Sequence, residues 1–177
     1  DKDIKLNNYL QSRRFGSNDW ISFQKVSETS DKDIYKKLNL NSKLPIVTLL
    51  TNVIWDAQLH FKNSAFKSML DWLFHTIEYF EKNTLAQLVI RIHPAEDLGS
   101  VPSNQSVYNE IIDRYGSIPK HIRVVRPLDI LSTYSLVEMS DSCIVFGTKM
   151  AIEIACQGKI VIVAGDAWAR NKGFTID

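Results

Sequence analysis

Apolar and polar positions along this chain follow two rhythms that take turns. Over Pro45–Leu50, Ala86–His93, His121–Val125, Cys143–Phe146 and Lys159–Ala164 the apolar residues run together in short blocks rich in Ile, Val and Leu. Such blocks predict strands buried on both faces. Between them the apolar residues recur every three or four positions. Phe66, Met69, Leu70, Leu73, Phe74, Ile77 and Phe80 keep a period near 3.6 and predict a helix over Ser64–Lys82. A second helix, capped by Ser103 or Asn104, carries Val107, Tyr108, Ile111, Ile112 and Tyr115 on one face and stops at Gly116. Asp129 is expected to cap a brief helix holding Ile130, Leu131 and Tyr134. Lys149–Gln157 sets Met150, Ile152, Ile154 and Ala155 at helical spacing before Gly158, where a left-handed residue ends the helix. Ahead of these, Asp1–Gly16 has helical character, and Ser30-Asp31-Lys32-Asp33 reads as a cap for a helix to Leu38. The polar stretch Ser17–Thr29 contains Trp20, Ile21 and Phe23, which are expected to pack against something.

Strands that alternate with helices imply an α/β domain in three layers, a parallel sheet covered on both faces. Its crossovers should be right-handed. The domain is read as residues 45–177, and 1–44 as a linker with helical character that packs on it. In such sheets ligands bind outside the carboxyl ends of the strands, near the point where strand order reverses. That rule singles out the loops after Leu50, Ile92, Phe146 and Ala164.

Composition narrows the class. Apolar residues make up 45% of the chain and charged ones 23%, ordinary for a globular protein, and the net charge of +1 gives no pull toward nucleic acid. Cys143 and Cys156 lack metal or disulfide spacing and read as small apolar fillers in a reducing setting. No apolar run approaches the ~18 residues that suggest a membrane span, and no signal peptide is visible. With no initial methionine and no terminator, the chain reads as a fragment of a longer protein.

Candidate chemistry gathers at the loops singled out above. Arg91 and His93 share one side of their strand, and Pro94 biases His93 toward extended backbone. Polar side chains there fit contact with an anionic or hydroxylated ligand; the alternative is a histidine satisfied by a nearby carbonyl. Gly147-Thr148, between strand and helix, offers backbone N–H groups and a hydroxyl to a phosphate oxygen, or is an ordinary turn. Glu153 lies among apolar neighbours and needs a partner: either vicinal ribose hydroxyls or a cation, Lys149 or Arg91. After the first strand, Asn52, Trp55 and Asp56 can meet a sugar, through stacking for Trp55 and as acceptor or base for Asp56. The alternative is an Asx turn with a tryptophan lid over the core. Gly165 closes the last strand, and Asp166, Trp168, Arg170 and Lys172 follow in a loop that either closes over a ligand or stays solvated. His60, His75 and His121 read as surface residues.

Thr-Asn-Val-Ile-Trp-Asp (51–56), Arg-Ile-His-Pro-Ala-Glu (91–96), Ser-Asp (140–141), Gly-Thr-Lys-Met-Ala-Ile-Glu-Ile-Ala (147–155) and Gly-Lys-Ile-Val-Ile-Val-Ala-Gly (158–165) together resemble the C-terminal half of bacterial capsule polysaccharide biosynthesis proteins. These are glycosyltransferases of the two-Rossmann-domain type called GT-B. The resemblance runs from about Pro45 to the end. It implies a Rossmann-like, nucleotide-sugar-binding domain, with His93 near the phosphates or nucleotide, Gly147 and Thr148 at the phosphates, and Glu153 on the ribose. Asn52, Trp55, Arg91, His93, Pro94, Gly147, Thr148, Glu153 and Gly165 are then the candidate donor-binding residues. Asp56 is a candidate catalytic group, with the base otherwise supplied by an N-terminal domain that also carries the glycan or lipid-linked acceptor. The 44 residues before Pro45 are too few to form that domain, so the chain alone is expected to turn over little or nothing. No metal or cofactor is implied, because helix dipoles and side chains offset leaving-group charge. The implied location is cytoplasmic, at most peripheral at the inner membrane.

Related families carry serine pairs where this chain has Gly147-Thr148, which leaves the donor nucleotide open. Two other readings stand beside the first: a polyol-phosphate transferase of the teichoic-acid type, and a non-catalytic nucleotide-binding module docking a partner through Trp20 and Phe23. A nicotinamide site is disfavoured, since no glycine triplet follows the first strand.

Overall fold

The computed structural model describes residues 1–16, 28–56, 65–101 and 103–177. The expectations placed on Trp20, Ile21, Phe23, His60 and the helix start at Ser64 lie outside the described residues. The elements in order are α1 (Lys2–Phe15), α2 (Asp31–Leu38), β1 (Ile46–Leu50), α3 (Met69–Lys82), β2 (Gln87–Arg91), α4 (Ala95–Leu98), α5 (Val107–Tyr115), β3 (Ile122–Val125), α6 (Thr133–Met139), β4 (Ser142–Val145), α7 (Met150–Cys156) and β5 (Ile160–Val163).

The five strands among the described residues form one parallel sheet, in the order β3-β2-β1-β4-β5. The chain starts in the middle, builds outward through β2 and β3, then returns past β1 to lay down β4 and β5. Strand order therefore reverses between β1 and β4. This is the parallel α/β sheet that the alternating pattern implied, in the Rossmann-like form that the resemblance implied.

Each face has its own core. On one, Met69, Trp72, Leu73, Ile77 and Phe80 of α3 and Val107 and Ile111 of α5 pack on Leu49, Leu88, Ile90 and Phe146. On the other, Ala151 and Ile154 of α7 pack on Cys143, Val145, Val161 and Val163. Next to them Ile34 and Leu38 of α2 join Leu131 and Leu136 over Ile46, Val89 and Val125. α2 is thus built into the core, whereas none of α1's residues is buried. A polar seam pins β1 to the entry of β4: Thr48 and Ser140 share a buried 2.6 Å hydroxyl contact, and a carboxylate oxygen of exposed Asp141 accepts from Ile46 N at 2.8 Å. The Ser-Asp pair of the sequence motif is therefore structural.

Several boundaries differ from the sequence expectation. α3 begins at Met69 with Ser68 as its cap, leaving Phe66 ahead of the helix though still against the core. α5 is capped by Ser106, not Ser103 or Asn104. Asp129 caps nothing; its carboxylate accepts from Arg126 N at 2.7 Å and closes a turn, and Ser132 caps α6. Ile130 and Leu131 therefore precede that helix. Pro94 ends the extended segment as expected but also caps the short α4, with a φ of −57° that proline's ring holds. Among the described residues no helix is long and apolar enough to cross a membrane.

Candidate functional site

The reversal point is closed by reciprocal hydrogen bonds. Beyond β1, buried Asn52 uses its side-chain oxygen to accept from Gly147 N at 3.2 Å, and its Nδ2 donates to Gly147 O at 3.4 Å. Gly147 follows β4, so one amide side chain sets the spacing between the two strand ends where a ligand is expected. Thr148 faces its own helix: its hydroxyl oxygen accepts from Met150 N at 3.3 Å and its carbonyl from Ala151 N.

His93 stands at the neighbouring strand end. Its backbone N–H donates to Thr51 Oγ1 at 3.0 Å, and its Nδ1 accepts from Ala95 N at 3.1 Å. Burial lowers its pKa; the Asp56 carboxylate opposes that effect and Arg91 adds to it. The result is a neutral imidazole whose acceptor nitrogen is taken by Ala95, so the ring proton sits on Nε2. Asp56, held in a turn by its N–H to Val53 O, lies close enough for its charge to act on His93, while Trp55 beside it is 50% exposed.

Arg91 is buried. Its guanidinium donates to Arg126 O at 2.5 Å and to Thr133 Oγ1 at 3.2 Å, across the junction from β3 to α6. Burial lowers its pKa to about 10, against the pull of Asp129, so it stays charged at neutral pH. Glu153, in the first turn of α7 and 2% exposed, meets neither Lys149 nor Arg91 as its cation. Arg13 of α1 donates from Nε to Oε1 at 2.9 Å, and the Tyr134 hydroxyl donates to Oε2 at 2.6 Å. The first turn of α6 thus holds both groups, Arg91 through Thr133 and Glu153 through Tyr134.

Gly165 explains itself by contact. Its N–H donates to Phe146 O at 2.9 Å, and an added Cβ would fall 2.6 Å from that oxygen. On the loop that follows, exposed Trp168 lies 5.7 Å from Lys149 Nζ. His75 and His121 are exposed, His75 on α3 between Asp71 and Glu78.

Arg13, Tyr134 and Thr51 were not among the candidate site residues that the sequence offered. The one available signal was that an acid between Ile152 and Ile154 must have a donor. Nothing in the order of residues says that the donor comes from a helix 140 positions away.

The chain matches the family described as capsule polysaccharide biosynthesis protein over residues 5–177. Comparison with curated proteins gives no significant match. Among solved structures, the chain is similar to the beta Kdo 2,4 transferase of Thermosulfurimonas dismutans KpsC, with 16% identity and a TM-score of 0.60, over 97% of this chain and 47% of that one. It is similar to the beta Kdo 2,7 transferase of the same KpsC, with 20% identity and a TM-score of 0.54, over 82% and 43%. A third is the UDP-GlcNAc 2-epimerase of Neisseria meningitidis bound to UDP-GlcNAc, with 14% identity and a TM-score of 0.51, over 75% and 31%. At these identities the likeness is one of fold, and the chain spans less than half the length of each. The family match takes in almost all of the sequence, and the protein belongs to the capsule polysaccharide biosynthesis protein family.

Proposed function

We propose that this chain is the donor-binding domain of a GT-B glycosyltransferase that builds capsule polysaccharide, taking a nucleotide sugar at the carboxyl edge of its sheet. The observation that carries the reading is that Asn52, Gly147 and His93 line the carboxyl ends of the adjacent strands β1, β4 and β2, on either side of the reversal of strand order. A neutral His93 with its proton on Nε2 is a donor suited to a phosphate oxygen. Thr148 and the backbone beside it would lie along the same diphosphate, and Glu153 on the ribose. Chemistry would be displacement at the anomeric carbon, the nucleotide leaving with its developing charge met by these donors. The acceptor, and the base unless Asp56 serves, would come from a second domain. The reaction as read needs no cofactor beyond the donor and would take place in the cytoplasm. One of the similar structures is an epimerase bound to UDP-GlcNAc, so uridine nucleotides are the first donors to try.

The test is a thermal-shift panel of CMP, CDP, UDP, GDP and their sugars on the full chain. A ligand at one hundred times its dissociation constant stabilises by ~2.7 kcal/mol, a shift of roughly 5–10 °C at this chain length. His93→Ala should weaken the response to the productive nucleotide at least tenfold in concentration. A full response in that variant, or none to any nucleotide in the parent chain, overturns the reading.

A further inference from the structure

We propose that α1 is a latch over the ribose position, with Arg13 occupying the carboxylate that a nucleotide's hydroxyls would take. The inference rests on the reading of Glu153 given above and adds a regulatory element to it. Glu153 has two oxygens, and each holds a strong donor: Arg13 Nε on Oε1 and the Tyr134 hydroxyl on Oε2. Each oxygen keeps a second lone pair, but Glu153 is 2% exposed beneath Arg13, so vicinal hydroxyls reach it only when Arg13 withdraws. Tyr134 belongs to the packed body of the domain, whereas Arg13 sits on a helix with no buried residue. That helix is clipped down by two adjacent arginines, Arg13 on Glu153 and Arg14 on Glu138 of α6. Arg13's side chain is itself 29% exposed. With no buried residue of its own, α1 is anchored through these ion pairs, and an element so anchored is among the first to open locally. Space for the movement is already present: a groove of about 210 Å³ runs between α1 and α7, lined by Leu6, Tyr9, Leu10, Ile152 and Trp168 and reaching Glu153. Nucleotide and α1 then compete for one carboxylate, and by linkage each weakens the other.

Binding of UDP and CMP to the full chain by calorimetry, with hydrogen exchange of α1 amides alongside, tests this. Arg13→Gln should bind nucleotide about three- to fivefold more tightly, the equivalent of a partly exposed ion pair. Saturating nucleotide should speed exchange across α1 in the parent chain. Arg13→Lys keeps the charge and gives a smaller gain; it serves where Arg13→Gln does not fold. Glu153→Gln should weaken binding and erase any preference for UDP over 2′-deoxy-UDP. If Glu153→Gln behaves so while neither Arg13 variant gains and α1 exchange ignores nucleotide, the latch is wrong and the ribose assignment stands. If Glu153→Gln changes neither affinity nor ribose preference, the ribose assignment falls and the latch with it.

Discussion

Replacing Asn52 by alanine removes both hydrogen bonds that tie the ends of β1 and β4, and the cost follows from their geometry. The bonds measure 3.2 and 3.4 Å, the first at the long end of the usual range and the second beyond it. A typical hydrogen bond contributes a net ~0.5–1.5 kcal/mol, so two weak ones should contribute about 1–2 kcal/mol together. At this length each kcal/mol moves the melting temperature by roughly 2–4 °C. Asn52→Asp is the sharper variant. It keeps an acceptor for Gly147 N–H but sets a carboxylate oxygen against Gly147 O where the amide donated, and should cost at least as much as alanine. Trp72 packs 5.5 Å from Phe146, the residue before Gly147, and reports on this region by fluorescence during urea unfolding. The expected result is a lower midpoint at unchanged slope, with weaker nucleotide binding because the strand ends are no longer held at one spacing. A parent-like midpoint in both variants refutes the idea that this pair sets the crevice.

Two further outcomes follow from single observations. Because burial lowers the His93 pKa, the folded chain takes up this proton less readily than the unfolded one. The associated stability is fully present above the ordinary histidine value of about 6.5 and is lost as pH falls through the depressed folded value. Urea midpoints should therefore drop on acidification across that window, and His93→Gln should flatten that part of the curve; an identical slope in the variant removes His93 as the cause. Gly165→Ala forces a Cβ to 2.6 Å from Phe146 O and should cost about 1–3 kcal/mol by overpacking, read as a lower unfolding midpoint; a neutral effect shows that the loop yields freely.

Much of the architecture was legible because it depends on patterns local in sequence. Short apolar blocks between amphipathic stretches determine a parallel sheet, since only strands covered on both faces tolerate them. Gly16, Gly116 and Gly158 stop their helices in left-handed conformation, as their positions suggested. Caps were less legible where several polar residues compete. Ser103, Asn104 and Ser106 all precede the same apolar stripe, and only the folded path of the chain selects Ser106. Asp129 looked like a cap but serves a turn, because Arg126 N comes within its reach.

Sequence alone thus determined the class of fold, the strand ends that bear polar residues, and the need for a partner at Glu153. Tertiary structure decided which partner. Strand order placed Asn52 beside Gly147, 95 positions on, and the folding back of α1 brought Arg13 to Glu153. The physical reason is that hydrophobic periodicity encodes which face of an element is buried, whereas polar contacts between elements depend on how those elements are ordered in space.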